Sequence, residues 1–252
     1  MYKNILAFCL IIVIGNSLLG QITNDNQSRI NRGEDLNVLY RNEESFGLFI
    51  HSATGIGLTY RRGHQLNRDV KRMFEIELSN FKHAKERRAI SIYNASNSKN
   101  YIYGKVNSLL LLRAGIGYKN IIYRRSDKKN IEIRYLAFGG ATIAFAKPIY
   151  LEIRYNDSIS TEMYNPDLHN TGNIYGKSDF FTGFGKTKLR PALYLKTGLS
   201  FDFASRYNEV KSIETGVIMD AYPIAIEIMA FNPNRNLLFS LYLKMIWGRK
   251  WI

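Results

Sequence analysis

From Ser108 to Lys119, and again from Ile131 to Phe145, apolar residues recur at every second position. In the first run Leu110, Leu112, Ala114, Ile116 and Tyr118 share one face, with Arg113, Gly115, Gly117 and Lys119 opposite. In the second, Ile131, Ile133, Tyr135 and Ala137 oppose Glu132 and Arg134. Two is the period of a β-strand, whose successive side chains point to opposite faces. One apolar face backed by a face of charge, glycine and aromatics fits a β-barrel in a membrane better than a soluble enzyme.

The same alternation marks most of the chain. Phe46, Leu48 and Ile50 form one apolar face, and Ile56, Leu58 and Tyr60 form the next, either across a turn at Ser52–Gly55 or in one long strand through which the alternation continues. Phe74, Ile76 and Leu78 oppose Glu75 and Glu77, and Ile149, Leu151, Ile153 and Tyr155 oppose Glu152 and Arg154. Four further segments follow: 190–204, 210–220, 224–230 and 237–247. Gly139-Gly140 permits a kink or bulge, and Pro148, which lacks an N–H to donate, ends its strand. The expected fold is all-β, an antiparallel transmembrane barrel of about ten strands (range about 8–12), with its lumen filled by side chains. The segments 81–105 and 157–188 read as long loops on the outer side, opposite short periplasmic turns, the second long enough to be an ordered cap or a plug.

The first twenty residues carry Lys3 and an apolar core from Ile5 to Ile14, the length of a signal-peptide core. That core is too short for a comfortable transmembrane helix; an N-terminal membrane anchor is the alternative. The expected organisation is a signal peptide at 1–20, a polar arm at 21–45 and a barrel at 46–252. The only cysteine, Cys9, falls inside the signal segment, so disulfides, thiolate metal sites and a cysteine nucleophile are excluded from the mature chain. No second apolar run approaches the length of a helical membrane span.

The formal charge of the chain is +14. With the apolar faces outward, the lumen receives Glu75, Glu77, Arg113, Lys119, Glu132, Arg134, Glu152, Arg154, Lys196, Asp202, Glu214, Asp220, Glu227 and Lys244, which nearly balance. Buried charges need partners, so Glu75, Glu77, Arg113, Glu132, Arg134, Glu152 and Arg154 are expected to form an internal ion-pair network. The positive excess then lies in links such as Arg61-Arg62 and Lys71-Arg72, and in a basic surface of Arg124, Arg125, Lys128, Lys129, Lys85, Arg87 and Arg88. Such a surface suits outer-membrane lipids, glycolipid phosphates or an acidic protein partner. Export and the lack of a recognisable motif argue against nucleic acid.

No catalytic, cofactor-binding or metal constellation is legible. The four histidines, His51, His64, His83 and His169, lie in no HExxH or G-x-S-x-G context. His83 with Glu86 is the best candidate pair for acid–base chemistry, and a solvated loop pair is the stronger reading of it.

Several stretches carry a family resemblance: FGLFIHSATGIGLTYRRG from Phe46, EIELSNFKHAKERR from Glu75, YGKVNSLLLLRAGIGYKNIIYRR from Tyr103, IEIRYLAFGGATIAFAKPIYLEI from Ile131, and IYGKSDFFTGFGKTKLRPALYLKTGLSFDF from Ile174. Together they resemble an outer-membrane β-barrel family of Bacteroidota whose members are mostly uncharacterised exported proteins. The GK-x-N, KPIY and KHAKE pieces are the most specific. The resemblance implies a barrel in the outer membrane of a Gram-negative bacterium and transfers no catalytic residues. The ending RKWI departs from the terminal aromatic of many outer-membrane proteins, because Trp251 is penultimate. The functional expectation is a non-enzymatic integral outer-membrane barrel, a structural or accessory subunit of an assembly for outer-membrane protein insertion, secretion or surface export. A small porin or transporter, and a barrel enzyme, are the alternatives.

Overall fold

The computed structural model describes residues 40–53, 55–93, 99–124, 130–156, 158–204, 206 and 208–252. The expected signal segment and residues 21–39 of the arm lie outside the described residues, as do Arg125, Lys128 and Lys129. The strands are β1 (Asn42–His51), β2 (Gly55–Gln65), β3 (Val70–Phe81), β4 (Arg88–Ala89), β5 (Tyr101–Ile102), β6 (Asn107–Tyr123) and β7 (Glu132–Pro148). They continue as β8 (Tyr150–Tyr155), β9 (Ser158–Met163), β10 (Ile174–Lys177), β11 (Lys188–Asp202), β12 (Glu209–Ile226) and β13 (Arg235–Trp251).

Eight of them close an antiparallel barrel in the order β1-β13-β12-β11-β7-β6-β3-β2. The seam is the β1–β13 ladder, which runs from Asn42 opposite Trp251 to His51 opposite Tyr242. Closure leaves no free sheet edge, so ladder donors and acceptors are satisfied around the ring.

The strand count corrects the expected ten. Segments 210–220 and 224–230 are not two strands: β12 continues to Ile226 through a register shift between Ala221 and Ile226. That irregularity holds Pro223, where its missing N–H disturbs no ladder. Segment 149–155 leaves the barrel after Pro148 and pairs instead with β9 and β10. β4 and β5 correct the reading of 81–105 as a loop alone, and β9 and β10 give 157–188 the ordered form that its length allowed.

The two longest connections share one end of the barrel. Residues 66–69, 124–131 and 203–208 join strands at one end, which also holds the start of β1 and the end of β13. Residues 52–54, 82–106, 149–187 and 227–234 join them at the other. Over the long-connection end lies a cap, the three-stranded sheet β10-β8-β9 and the β4–β5 pair. Tyr101, Leu151, Ile153, Tyr164, Ile174 and Ala230 form its core.

The wall follows the alternation. Outward positions are exposed and apolar all round: Phe46, Leu48 and Ile50 on β1, Ile56 and Leu58 on β2, Ile116 and Tyr118 on β6, Leu193 and Leu195 on β11, and Phe239, Leu241 and Leu243 on β13. Inward positions are buried. At the long-connection end they are apolar: Phe81, Leu109, Leu111, Ala144, Ala146 and Ala192 pack against Tyr222, Ile226, Ile228 and Met229. Ile226 and Ile228 were expected on the outward face and instead help close the mouth. The chain there folds over the opening, with Val106 N donating to Ile228 O at 3.0 Å and Ala230 N to Gly104 O at 2.7 Å.

Candidate functional site

Below the apolar mouth, the interior is charged. The buried barrel-strand bases are Arg61, Lys71, Arg113, Lys119, Arg134, Lys196 and Lys244; the buried acids are Glu43, Glu75, Glu77, Glu132, Asp202, Glu214 and Asp220. Seven face seven, so these described groups are electroneutral.

Most of their pairs cross the barrel, and a few join neighbours along its wall. Arg61 on β2 donates through Nε to its ladder neighbour Glu75, and through Nη1 to both Glu214 oxygens on β12, at 2.8 and 2.7 Å. Arg113 on β6 grips Asp220 on β12 bidentately, Nε at 2.9 Å and Nη2 at 2.7 Å, and its Nη1 donates to Ser79 at 3.2 Å. Thr142 adds a hydroxyl to Asp220 at 2.8 Å. Lys196 on β11 reaches Glu77 on β3 at 2.8 Å and also pairs with Glu75; Lys244 pairs with both glutamates. Lys119 donates to Glu214 at 3.1 Å. Strands three places apart around the ring are thus tied by charge-assisted bonds, the stronger class of hydrogen bond.

Small residues make room for these long side chains. Inward Gly115 pairs with inward Gly140, and Gly198 with Gly216. A Cβ at Gly115 would stand 2.4 Å from the Tyr194 hydroxyl, and one at Gly198 would stand 2.6 Å from that of Tyr242. Those rings lie against the bare wall. The ladders through Gly139-Gly140 keep their register, so no bulge forms there.

Of the residues expected in the network, Glu75, Glu77 and Arg113 meet in the central cluster. Arg134 and Glu132 bond to each other at the start of β7. Glu152 and Arg154 are a correction: they sit on β8 in the cap, where Arg154 donates to Asn156 O and lies 4.9 Å from the Tyr93 ring. Glu227 is exposed in the β12–β13 connection, not internal. Conversely, Arg61, Lys71 and Glu43 are internal, and Lys71 bonds Glu43 at 2.5 Å. Strand parity carries that signal, because Lys71 shares the phase of Glu75 and Glu77, while Arg62 and Arg72 point outward.

The residues of the expected basic surface separate. Arg124 pairs with Asp69 at the short-connection end. Lys85, Arg87 and Arg88 stand exposed at the other end, where Lys85 donates to Asn232 at 2.6 Å. Single-end binding by all of them is therefore geometrically impossible.

The histidines are held in structural roles. Glu86 accepts from the His83 backbone N–H at 3.0 Å and pairs with Lys105 at 2.7 Å, so it shapes the turn instead of facing the His83 ring. His51 contacts the Asn80 carbonyl at 2.9 Å and stacks on Phe81. In the cap, Ser160 donates to Glu162 at 2.6 Å, and His169 Nε2 lies 3.2 Å from the same carboxylate. Hydrogen bonds from Ser160 above all, then His169 and Tyr155, hold the Glu162 carboxyl below its usual range. His169 Nδ1 accepts from the Asn165 backbone at 3.1 Å. Nε2 must then carry the proton given to Glu162, leaving no ring nitrogen free as a base. This trio resembles a hydrolase triad in composition only, since the carboxylate stands in the middle. Among the described residues, no group of His, Cys, Asp and Glu side chains is arranged to hold a metal ion.

No protein-family model matches the chain, and no curated protein matches it. Among solved structures it is similar to Ail, the attachment invasion locus protein of Yersinia pestis, in complex with the heparin analogue sucrose octasulfate. The TM-score is 0.42 at 9% identity, covering 83% of this chain and 97% of that one. It is also similar to Neisserial surface protein A (0.39, 13% identity, 83% and 96% covered). The N-terminal β-barrel domain of Pseudomonas aeruginosa OprF gives 0.36 at 8% identity, with 83% and 97% covered. At such low scores and identities, none of the three bears on what this chain does.

Proposed function

We propose that the chain is an integral outer-membrane barrel without enzymatic activity, closed to solutes, that serves as an accessory subunit of a larger envelope assembly for protein insertion, secretion or surface export. The membrane reading is supported by the wall. A continuous exposed apolar belt exceeds what a soluble monomer tolerates, and alternation with a polar interior is the pattern of a barrel in lipid. The end with short connections and both strand termini is then periplasmic, and the capped end faces out. The reading includes the Bacteroidota barrel family that the sequence resembles.

One observation carries the closed, non-transporting role: cross-barrel ion pairs lie beneath an apolar mouth that is itself covered by a folded cap. Such a barrel offers a scaffold and a shaped outer surface, not a passage. Partners are therefore expected at the cap and in the surrounding lipid.

The test is affinity purification of the tagged full chain from native membranes after mild crosslinking. The expected result is stoichiometric recovery with one envelope protein, reduced when Arg87 and Arg88 at the cap are both replaced by Glu. Recovery solely as an isolated monomer, with and without crosslinking, contradicts the accessory role.

A further inference from the structure

The cap meets the wall in a cluster that no ion pair or core packing requires. Phe180, Phe181 and Phe184 are 62%, 79% and 53% exposed. Yet they are organised: ring centroids of Phe180 lie 5.4 Å from Phe181 and 5.9 Å from Phe184, both edge-on. The segment is braced from behind. Gly183 adopts φ 82°, and a Cβ there would meet the Tyr150 ring at 2.4 Å, so the turn is pressed against that ring.

Two lysines frame the rings. Lys147 Nζ lies 4.5 Å from the Phe180 centroid and 5.1 Å from that of Phe184, and donates to the Phe180 carbonyl. Lys186 Nζ lies 5.8 Å from the Tyr150 ring. Asp179, the adjoining carboxylate, is occupied by Lys99 at 2.6 Å. The cluster thus presents apolar rings and positive charge with its nearest acid neutralised.

Its position decides what it meets. Lys147 shares the outward phase of β7 with Ile143 and Phe145, and Phe145 pairs with outward Leu189 of β11. At about 3.3 Å per residue, Lys147 stands about 13 Å along the strand from Ile143. The rings and ammonium groups therefore cap the apolar belt on its outer side, not the barrel mouth. Aromatics and lysines at that height match a membrane–water interface.

We propose that Lys147 and Lys186, with Phe180, Phe181 and Phe184, form a binding site for the phosphate-bearing headgroup of an anionic lipid in the leaflet on the capped side, the rings entering the upper acyl region. This rests on the barrel spanning a membrane.

The experiment uses the full chain with Cys9→Ser, since Cys9 is the only cysteine, in nanodiscs of phosphatidylcholine with or without phosphatidylglycerol. A nitroxide placed by Phe181→Cys reports depth through its relative access to oxygen and to a water-soluble nickel chelate. A second, placed by Leu241→Cys on the wall, reports the barrel itself. Native mass spectrometry counts retained phosphatidylglycerol. The expected result is a label at position 181 at headgroup depth. Phosphatidylglycerol retention should weaken about fivefold with Lys186→Gln and about thirtyfold with Lys147→Gln and Lys186→Gln together. A wall label in the acyl core with a water-exposed label at 181 overturns the lipid site alone. Two water-exposed labels overturn the membrane reading with it. Unchanged retention in the double variant, or full displacement by inorganic phosphate, overturns the headgroup assignment.

Discussion

Arg61→Met is expected to destabilise the barrel by about 3–5 kcal/mol, the cost of leaving buried carboxylates without their cation. Arg61 holds Glu75 and both oxygens of Glu214, and all three groups are fully buried. Loss of the guanidinium leaves Glu214 with Lys119 alone, and leaves Glu75 to share Lys196 and Lys244 with Glu77, which also has Arg113 at 3.8 Å. Adding Glu75→Gln should restore much of the loss. In the double variant the interior is again neutral, Glu214 keeps Lys119, and both lysines keep Glu77. The check is a double-mutant cycle by urea unfolding in lipid vesicles, where the double variant should lose less than half of what Arg61→Met loses. Simple additivity would mean that the two side chains act independently, against the geometry.

How far this network was legible follows from what alternation encodes. Parity along one strand places Glu75, Glu77 and Arg113 on an inward face without any knowledge of partners. It cannot say where a strand ends. Arg61 and Lys71 flank the short turn at 66–69, and runs of charge there look like solvated links whether or not the ladder continues. Nor can it say which sheet a strand joins. Glu152 and Arg154 alternate as well as Glu132 and Arg134 do, because a cap sheet with one packed face has the same period as a barrel wall. Pro148 marks the departure point, yet a break in one strand does not reveal where the next one pairs. The partners are hardest of all. Arg61 and Glu214 are 153 residues apart, so their meeting depends on closure of the whole ring. His169 and Glu162, only seven residues apart, meet locally in the cap, and alternation gives no sign of that pairing.

A second large effect separates two adjacent glycines. Gly140→Ala is expected to cost about 2–3 kcal/mol or to prevent folding, as overpacking between backbones does. Its Cβ would lie 2.2 Å from the Ala114 carbonyl oxygen and 2.5 Å from the Gly115 Cα, and neither can yield without parting β6 from β7. Gly139 faces the other way. A Cβ there meets only the Leu195 methyl at 3.3 Å and the Tyr194 carbonyl oxygen at 3.8 Å. Gly139→Ala should therefore fall within about 0.5 kcal/mol of the parent, as outward substitutions away from special features do. Folded yield and urea midpoint for the two single variants provide the check. Equal behaviour would show that the glycine pair serves no close approach. Alternation puts Gly139 on the outward face and Gly140 on the inward one, but only the contacts of Gly140 with Ala114 and Gly115 show that a methyl there has no room.

The central claim is that cross-barrel charge pairs and the apolar mouth leave no aqueous path through the molecule. Single-channel recording of the purified, folded chain in planar bilayers tests it most directly. The account predicts a flat baseline, with no steady unitary currents at either polarity. Reproducible steady open-channel currents from the folded protein would contradict it.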